Sequence, residues 1–309
     1  MSDDPRGPQL YRRSRRPARP GTARTEPAGE PRSAVGRGGE PGPIRQISSL
    51  ANDLVKDMRG LHAKKERAET GLFLAEGLKL VTDAFAAGWT VRTLAFCDKV
   101  GRQPMVARAI ATALERGVDV VEMSEAVLEK ISRRDNPQMV LGVIDQRFGE
   151  LGDIDISRST IWVALEGIKD PGNLGTIIRT IDSVGASGAI LIGETTDPFA
   201  LEAVRATMGS IFHVPMVRAT PAEFADFIAR SKVPVYGTHL AGAVDYRSID
   251  YPEPAILLMG NEQSGLPPAM VDLCTRVVKI PMRGQADSLN LAIATAVTLY
   301  EMRRSRLAL

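Results

Sequence analysis

Two cysteines, three histidines and an aromatic content of only 5% narrow what this 309-residue chain can do. Cys97 and Cys274 are solitary, sit in apolar surroundings and lack metal-ligand spacing, so both read as reduced core filler rather than a disulfide. None of His62, His213 and His239 falls within a motif or at metal-ligand spacing, and no metal is assigned. So few aromatics argue against a base-stacking platform as the main mode of holding nucleic acid. No apolar run approaches the roughly 20 residues that a membrane-spanning helix needs. The start MSDDPRGPQL lacks the apolar core of a secretory signal, so a cytoplasmic protein without a membrane partner is expected. Neither the phosphate-cradling G-x-x-x-x-G-K-[ST] nor the dinucleotide G-x-G-x-x-G occurs, which removes support from nucleotide hydrolysis and from hydride transfer.

The formal net charge of +2 is unevenly spread, because residues 1–43 hold nine Arg against five acidic residues. That segment is rich in Arg, Pro and Gly, nearly free of large apolar side chains, and unable to offset the entropy of ordering itself. Residues 1–43 are therefore expected to form a disordered arm. Its stretch from Tyr11 to Arg16 (YRRSRR) suits salt-sensitive attraction to RNA phosphates and, equally, a solubilising tail.

From 44 to 147 the pattern is that of a small α/β module. A helix is predicted over ISSLANDLVKDMRGL, followed by FLAEGLKLVTDAFAAG and then alternating strands and helices as far as the strand QMVLGVI. Residues 148–159 (FGELGDIDISRS) break the alternation with Gly and acidic residues and read as a linker. From 160 to 309 the alternation restarts. Its strands, such as TIWVALE, AILIG and AILLMG, are continuous apolar runs separated by helices, which implies a parallel sheet covered on both faces.

Three clusters in this second module stand where a strand gives way to a loop or helix, the place where open α/β sheets keep their ligand sites. In the first, from Glu166 to Gly188 (EGIKDPGNLGTIIRTIDSVGASG), Asn173 suits a helix N-cap. Leu174, Ile177, Ile178, Ile181 and Val184 then form one apolar stripe, with Arg179 on the opposite side, free to meet a partner subunit, an RNA phosphate or only solvent. In the second, LMGNEQSGLP from Leu258 to Pro267, Gly260 and Gly265 bracket polar side chains, and glycine there permits close backbone approach to a ligand. An ordinary turn with a solvated Glu262 fits the same residues. In the third, IPMRGQADSLNL from Ile280 to Leu291, Ser288 and Asn290 sit at the mouth of the last helix, where Ser288 is equally a plain N-cap. Three strand ends that bring Asn173, Arg179, Glu262, Ser288 and Asn290 into one module point to a site rather than to unrelated turns.

The order and content of these clusters resemble the SpoU (TrmH-like) family of RNA ribose 2′-O-methyltransferases. The match rests on Asn173-x-Gly175-x-x-x-Arg179, Gly260-Asn261-Glu262-x-x-Gly265 and Ser288-x-Asn290, and spans about residues 160–304. Residues 44–146 more loosely resemble the family's accessory RNA-binding domain through Lys64-Lys65-x-Arg67, Phe73-x-x-Glu76-Gly77 and Asn136-Pro137-Gln138. The resemblance implies a parallel-sheet SPOUT fold closed by a C-terminal trefoil knot, and a homodimer that completes the active site. It implies S-adenosylmethionine held against Met259, Gly260, Asn261, Gly265, Ile280, Met282 and Leu289, with Asn173, Arg179, Glu262, Ser288 and Asn290 as the catalytic set. Arg59, Lys64, Lys65 and Arg67 form a candidate RNA-binding patch, though a solvated helix end has the same appearance. The expected activity is 2′-O-methylation of structured RNA. Ribosomal RNA is favoured over transfer RNA because of the extra amino-terminal domain, and a non-catalytic RNA-binding protein of the same fold is the competing reading.

Overall fold

The computed structural model describes residues 44–133, 138–156, 160–239 and 244–307. The arm expected over 1–43 lies outside these residues, as do Asn136 and Pro137. The amino-terminal elements are β1 (Arg45–Ile47), α1 (Asp53–Gly60), α2 (Lys64–Thr70), β2 (Leu72–Glu76), α3 (Leu78–Ala86), β3 (Val91–Cys97), α4 (Pro104–Glu115), β4 (Asp119–Met123), α5 (Glu125–Ser132) and β5 (Val140–Asp145). They build a mixed five-stranded sheet in the order β1-β4-β3-β5-β2. The helix expected from residue 47 begins later. Asn52 caps it by accepting a hydrogen bond from the Leu54 N–H, and the residues before it swing away so that β1 can pair with β4 and bury Ile47. Helix α2 went unrecognised in the sequence because KKERAET buries only one side chain, and that one is Arg67.

The second set runs β6 (Ile161–Glu166), α6 (Pro171–Ser183), β7 (Gly188–Ile192), α7 (Leu201–Thr207), β8 (Met216–Ala219), α8 (Pro221–Ser231), β9 (Val235–Thr238), β10 (Val244–Asp245), β11 (Ala255–Met259), α9 (Pro268–Val271), β12 (Arg276–Lys279) and α10 (Leu291–Met302). Its seven strands lie in the order β10-β12-β9-β11-β6-β7-β8, all parallel. Every residue of β7 and β11 is buried, which is why those strands read as unbroken apolar runs rather than as alternation. One face is covered by α6, α7 and α10, the other by α8, whose Phe224 and Phe227 pack against Trp162 and Ile190. The chain leaves β6 toward β7 and β8 and then returns to the far side through β9, β11 and β12. The winding direction therefore reverses beside β6, and a crevice is expected at the carboxyl ends of β6 and β11.

The two sheets share one core. Phe73 of β2 lies 4.7 Å from Phe199, ring centre to ring centre, and the Trp89 indole N–H donates to the Phe212 carbonyl at 3.0 Å. Between the sheets, Gly149 pairs with Val217 of β8, and Ile154 and Ile156 pack beneath the second sheet. Among the described residues no helix is long and apolar enough to cross a membrane.

Candidate active site

The first cluster folds as a capped helix, with a different cap from the one expected. The Asp170 carboxylate accepts a hydrogen bond from the Asn173 N–H at 2.6 Å and Pro171 supplies the first turn, so Asp170 is the N-cap and Asn173 stands within the helix. Asp and Asn are equally good caps, so position decides: Asp170 precedes Pro171 at the first turn, and its negative charge suits the helix amino terminus. The amide of Asn173 is thereby freed to point at other groups. Leu174, Ile177, Ile178 and Ile181 are wholly buried, while the Arg179 side chain is exposed and makes no hydrogen bond or ion pair within the described residues. Gly175 lets α6 approach α7, since a Cβ there would stand 2.3 Å from the Ala203 carbonyl oxygen.

Glu262 is held from four directions. It accepts the backbone N–H groups of Lys169 and Asp170 at 3.2 Å each, the Asn173 amide at 3.3 Å and the Asn261 amide at 3.4 Å. Burial by itself raises its pKa, but the backbone and Asn173 donors outweigh it and hold the carboxyl below the ordinary glutamate value. Asn173 in turn accepts from the Asn290 amide at 2.9 Å across 117 residues of chain, and the Asn290 oxygen caps α10 through the Ala292 N–H at 2.9 Å. Asn290, not Ser288, is the cap of the last helix. All three clusters are thus joined through Glu262, Asn173 and Asn290.

A group whose folded pKa is depressed contributes stability that is present above its unfolded pKa and lost as pH falls through the folded one. The Glu262 network should therefore loosen on acidification below the ordinary glutamate range. Thermal unfolding followed from about pH 7 to about pH 3 should show this loss in the wild type and a flatter acid limb in Glu262→Gln. The Gln amide keeps one oxygen acceptor, turns its NH2 toward the other of the Lys169 and Asp170 N–H groups, and has no carboxylate to titrate. Parallel acid limbs in the two proteins would contradict the assignment.

Beside this network lies a cavity of about 430 Å³. Met259, Gly260, Asn261, Gly265, Ile280, Met282 and Leu289 all line it, together with Glu262 and Ser288. Gly260 has no room for a side chain, because a Cβ would fall 2.3 Å from the Gly265 carbonyl carbon, where Asn261 and Gly265 bridge through paired backbone hydrogen bonds. Asn261 fastens the turn to the first cluster by donating to the Gly167 carbonyl at 2.7 Å. Sequence reasoning missed Thr238, His239, Lys279 and Asp287, which also line the cavity. The signal for Thr238 and His239 was positional: they end β9, at the same carboxyl edge of the sheet as the three clusters. Asn173, Arg179 and Asn290 do not line the cavity: Asn173 and Asn290 stand behind Glu262, and Arg179 stays on the outer surface of α6.

The SpoU rRNA Methylase family model matches residues 160–300, and an MRM3-like substrate binding domain matches residues 52–142. The chain is 32% identical over 260 residues to the 23S rRNA (guanosine(2553)-2′-O)-methyltransferase RlmP of Bacillus subtilis, covering 84% of this chain and 100% of that one. The chain belongs to the SpoU rRNA methylase family. Among solved structures, the AdoMet-bound rRNA methyltransferase of Sinorhizobium meliloti is similar with a TM-score of 0.81 and 51% identity, over 86% of this chain and 100% of that one. The SpoU methyltransferase AviRb of Streptomyces viridochromogenes, in complex with AdoMet, follows with a TM-score of 0.75 and 31% identity, over 83% and 99%.

In this SpoU protein the amino-terminal residues that carried the looser resemblance do different work from that expected. Arg67, proposed for RNA, is buried at 4% exposure. Its guanidinium donates to Asp197 at 2.8 Å and to the Leu61 and His62 carbonyls at 2.8 and 2.9 Å, which leaves it no reach toward a phosphate. Glu76 is likewise buried and receives the Arg205 Nε–H at 2.7 Å. Arg67, Phe73 and Glu76 therefore bind one half of the molecule to the other. Lys64, Lys65 and Arg59 are exposed, with Lys65 3.7 Å from Glu69.

Proposed function

We propose that this protein transfers a methyl group from S-adenosylmethionine to a ribose 2′-hydroxyl of structured RNA, with ribosomal RNA as the substrate. The observation that carries the reading is the fixed Glu262-Asn173-Asn290 network, which holds Glu262 in the wall of the cavity. The cavity suits the donor. About 430 Å³ falls within the range of small-molecule sites, roughly 300–1,000 Å³. Met259, Val278 and Leu291 offer apolar walls, the backbone is bare at Gly260, and two carboxylates, Glu262 and Asp287, face a ligand that carries a sulfonium charge. The residues that would hold it are the main chain and side chains around Met259–Asn261, Gly265, Ile280, Met282 and Leu289.

When bound, S-adenosylmethionine supplies an electrophilic methyl group. The chain's own task is to align the ribose hydroxyl and to manage the charge that develops on it. Glu262, locked by its donors, and Asn173 orient the hydroxyl, while Ser288 lines the cavity and Asn290 holds Asn173 in place. Arg179 positions an RNA phosphate and stabilises the nascent oxyanion. A guanidinium with a pKa above about 12 is a poor base, so this role is electrostatic. Because Arg179 faces outward, it acts on the cavity of a second copy in a homodimer. Ile293 and Tyr300, exposed on one side of α10, which itself packs against α6, support that pairing. The trefoil knot belongs to the same reading, supported by the loop 280–290 that carries the chain past the Asn261 turn to α10. Residues 44–147 would serve as the accessory RNA-binding domain, 148–159 as the linker and 160–309 as the methyltransferase domain, working in the cytoplasm with its RNA.

Ribose methylation mapped across total RNA, from cells with and without the protein, should lose one position when the protein is absent. An unchanged map, together with no calorimetric uptake of S-adenosylmethionine even when RNA is supplied, would overturn the proposal.

A further inference from the structure

On the other side of the Asn261–Ser264 turn lies a second cavity, of about 730 Å³, at the carboxyl ends of β6, β7 and β8. Asn261 and Ser264 line both cavities, so one turn separates them. The lining of the second includes Glu166, the last residue of β6, with Lys169, Glu194 and Arg218. Glu166 is half-buried, and its carboxylate makes no hydrogen bond within the described residues. Burial pushes its pKa up, and the Lys169 charge only partly opposes this. Lys169 is itself engaged, donating to the Glu194 carbonyl at 3.0 Å. A carboxylate without a protein donor, in a cleft open to solvent, is free to accept a ligand's N–H groups.

The rim is fixed by unrelated contacts. The Arg218 guanidinium lies 4.0 Å over the Phe148 ring and 3.9 Å from Asp197, the same carboxylate that anchors Arg67. That leaves a positioned cation at the mouth and an acceptor within, with no aromatic side chain among the lining residues. A base entering here is held by hydrogen bonds at its edge, not by stacking.

Resting on the methyltransferase reading above, we propose that this second cavity receives the base of the nucleotide being methylated, and that Glu166 selects a base bearing an exocyclic amino group. The turn shared by both cavities then places the ribose of that nucleotide between Glu166 and the donor cavity, beside Glu262. A carboxylate only accepts hydrogen bonds, so it suits the adjacent ring N–H and amino group of guanine, or the amino group of cytosine or adenine. Uracil presents a single N–H flanked by two carbonyls, which would face the carboxylate. Arg218 meets the phosphate of the same nucleotide and contributes equally for every base.

The test uses the full-length protein and short RNAs spanning the mapped methylation position, with each of the four bases placed there. Wild type should prefer an amino-bearing base over uracil by roughly five- to a hundred-fold in kcat/KM. Glu166→Gln should reduce that preference to within about threefold while S-adenosylmethionine affinity, measured by calorimetry, stays within about twofold of wild type. Glu166→Asp, which keeps the charge, should keep the base ranking at a lower rate, and Arg218→Ala should raise KM for all four RNAs alike. Retention of the wild-type ranking by Glu166→Gln, a wild-type preference for uracil, or parallel loss of donor binding would each overturn the assignment. A wild-type protein that binds the donor but methylates none of these RNAs would instead overturn the functional reading, and this one with it.

Discussion

Arg179→Ala should lower the rate of methyl transfer by about 10²–10³-fold, while donor affinity and melting temperature remain close to those of wild type. Nothing in the subunit depends on this side chain: it is exposed, outside the donor cavity, and unpaired within the described residues. An exposed residue without partners contributes little to folding, so a loss of activity here reports on the transition state rather than on stability. Single-turnover methylation and calorimetry of the donor together check the split. Lysine at this position should restore only part of the rate, because a point charge cannot grip a phosphate through two parallel N–H groups. Mixing Arg179→Ala subunits with subunits carrying Glu262→Ala should recover activity if the guanidinium serves the opposite subunit's site. Equal loss of rate and donor affinity would contradict this division of labour.

Arg67→Ala should have the largest effect on stability, about 3–5 kcal/mol, because it strips the partner from a buried carboxylate. Asp197 is only 6% exposed and would keep just the 3.9 Å contact with Arg218 and its bond to the Phe199 N–H. Two carbonyls, those of Leu61 and His62, would lose their donor as well. Urea unfolding should show the loss directly, and Arg67→Ala with Asp197→Ala should cost less than the sum of the two single changes. Alanine at Arg59, Lys64 and Lys65 should leave stability nearly unchanged, and any effect should fall on RNA binding and its salt dependence. If Arg67→Ala weakened RNA binding at full stability, the seam assignment would be wrong.

The proposed site was legible in the sequence to the extent that its parts are local. The apolar stripe of α6, the glycines bracketing Asn261 and Glu262, and the continuous strands of the parallel sheet are each set by residues a few positions apart. Periodicity and turn chemistry read them correctly. The cap of α6 was misassigned within the same short range, because Asp170 and Asn173 are both good caps and only the geometry of the Pro171 turn chooses between them. The role of Arg67 was misread for a different reason. A basic cluster at a helix end looks the same whether its charges face water or a carboxylate, and the carboxylate lies 130 residues away.

From the amino acids alone came the alternation of strands and helices, the outward side of Arg179 and the membership of Glu262, Asn173 and Asn290 in one module. The first two follow from chain chemistry repeated over one or two turns, and the third from three strand ends that fall within one alternating module. Only the tertiary structure decided that the Asn173 and Asn290 amides meet, that His239 borders the same cavity as Glu262, that Arg67 holds the two sheets together, and that Glu166 lines a second cleft. Those outcomes depend on which distant surfaces exclude water from one another, and no pattern along the chain encodes the partner that does so.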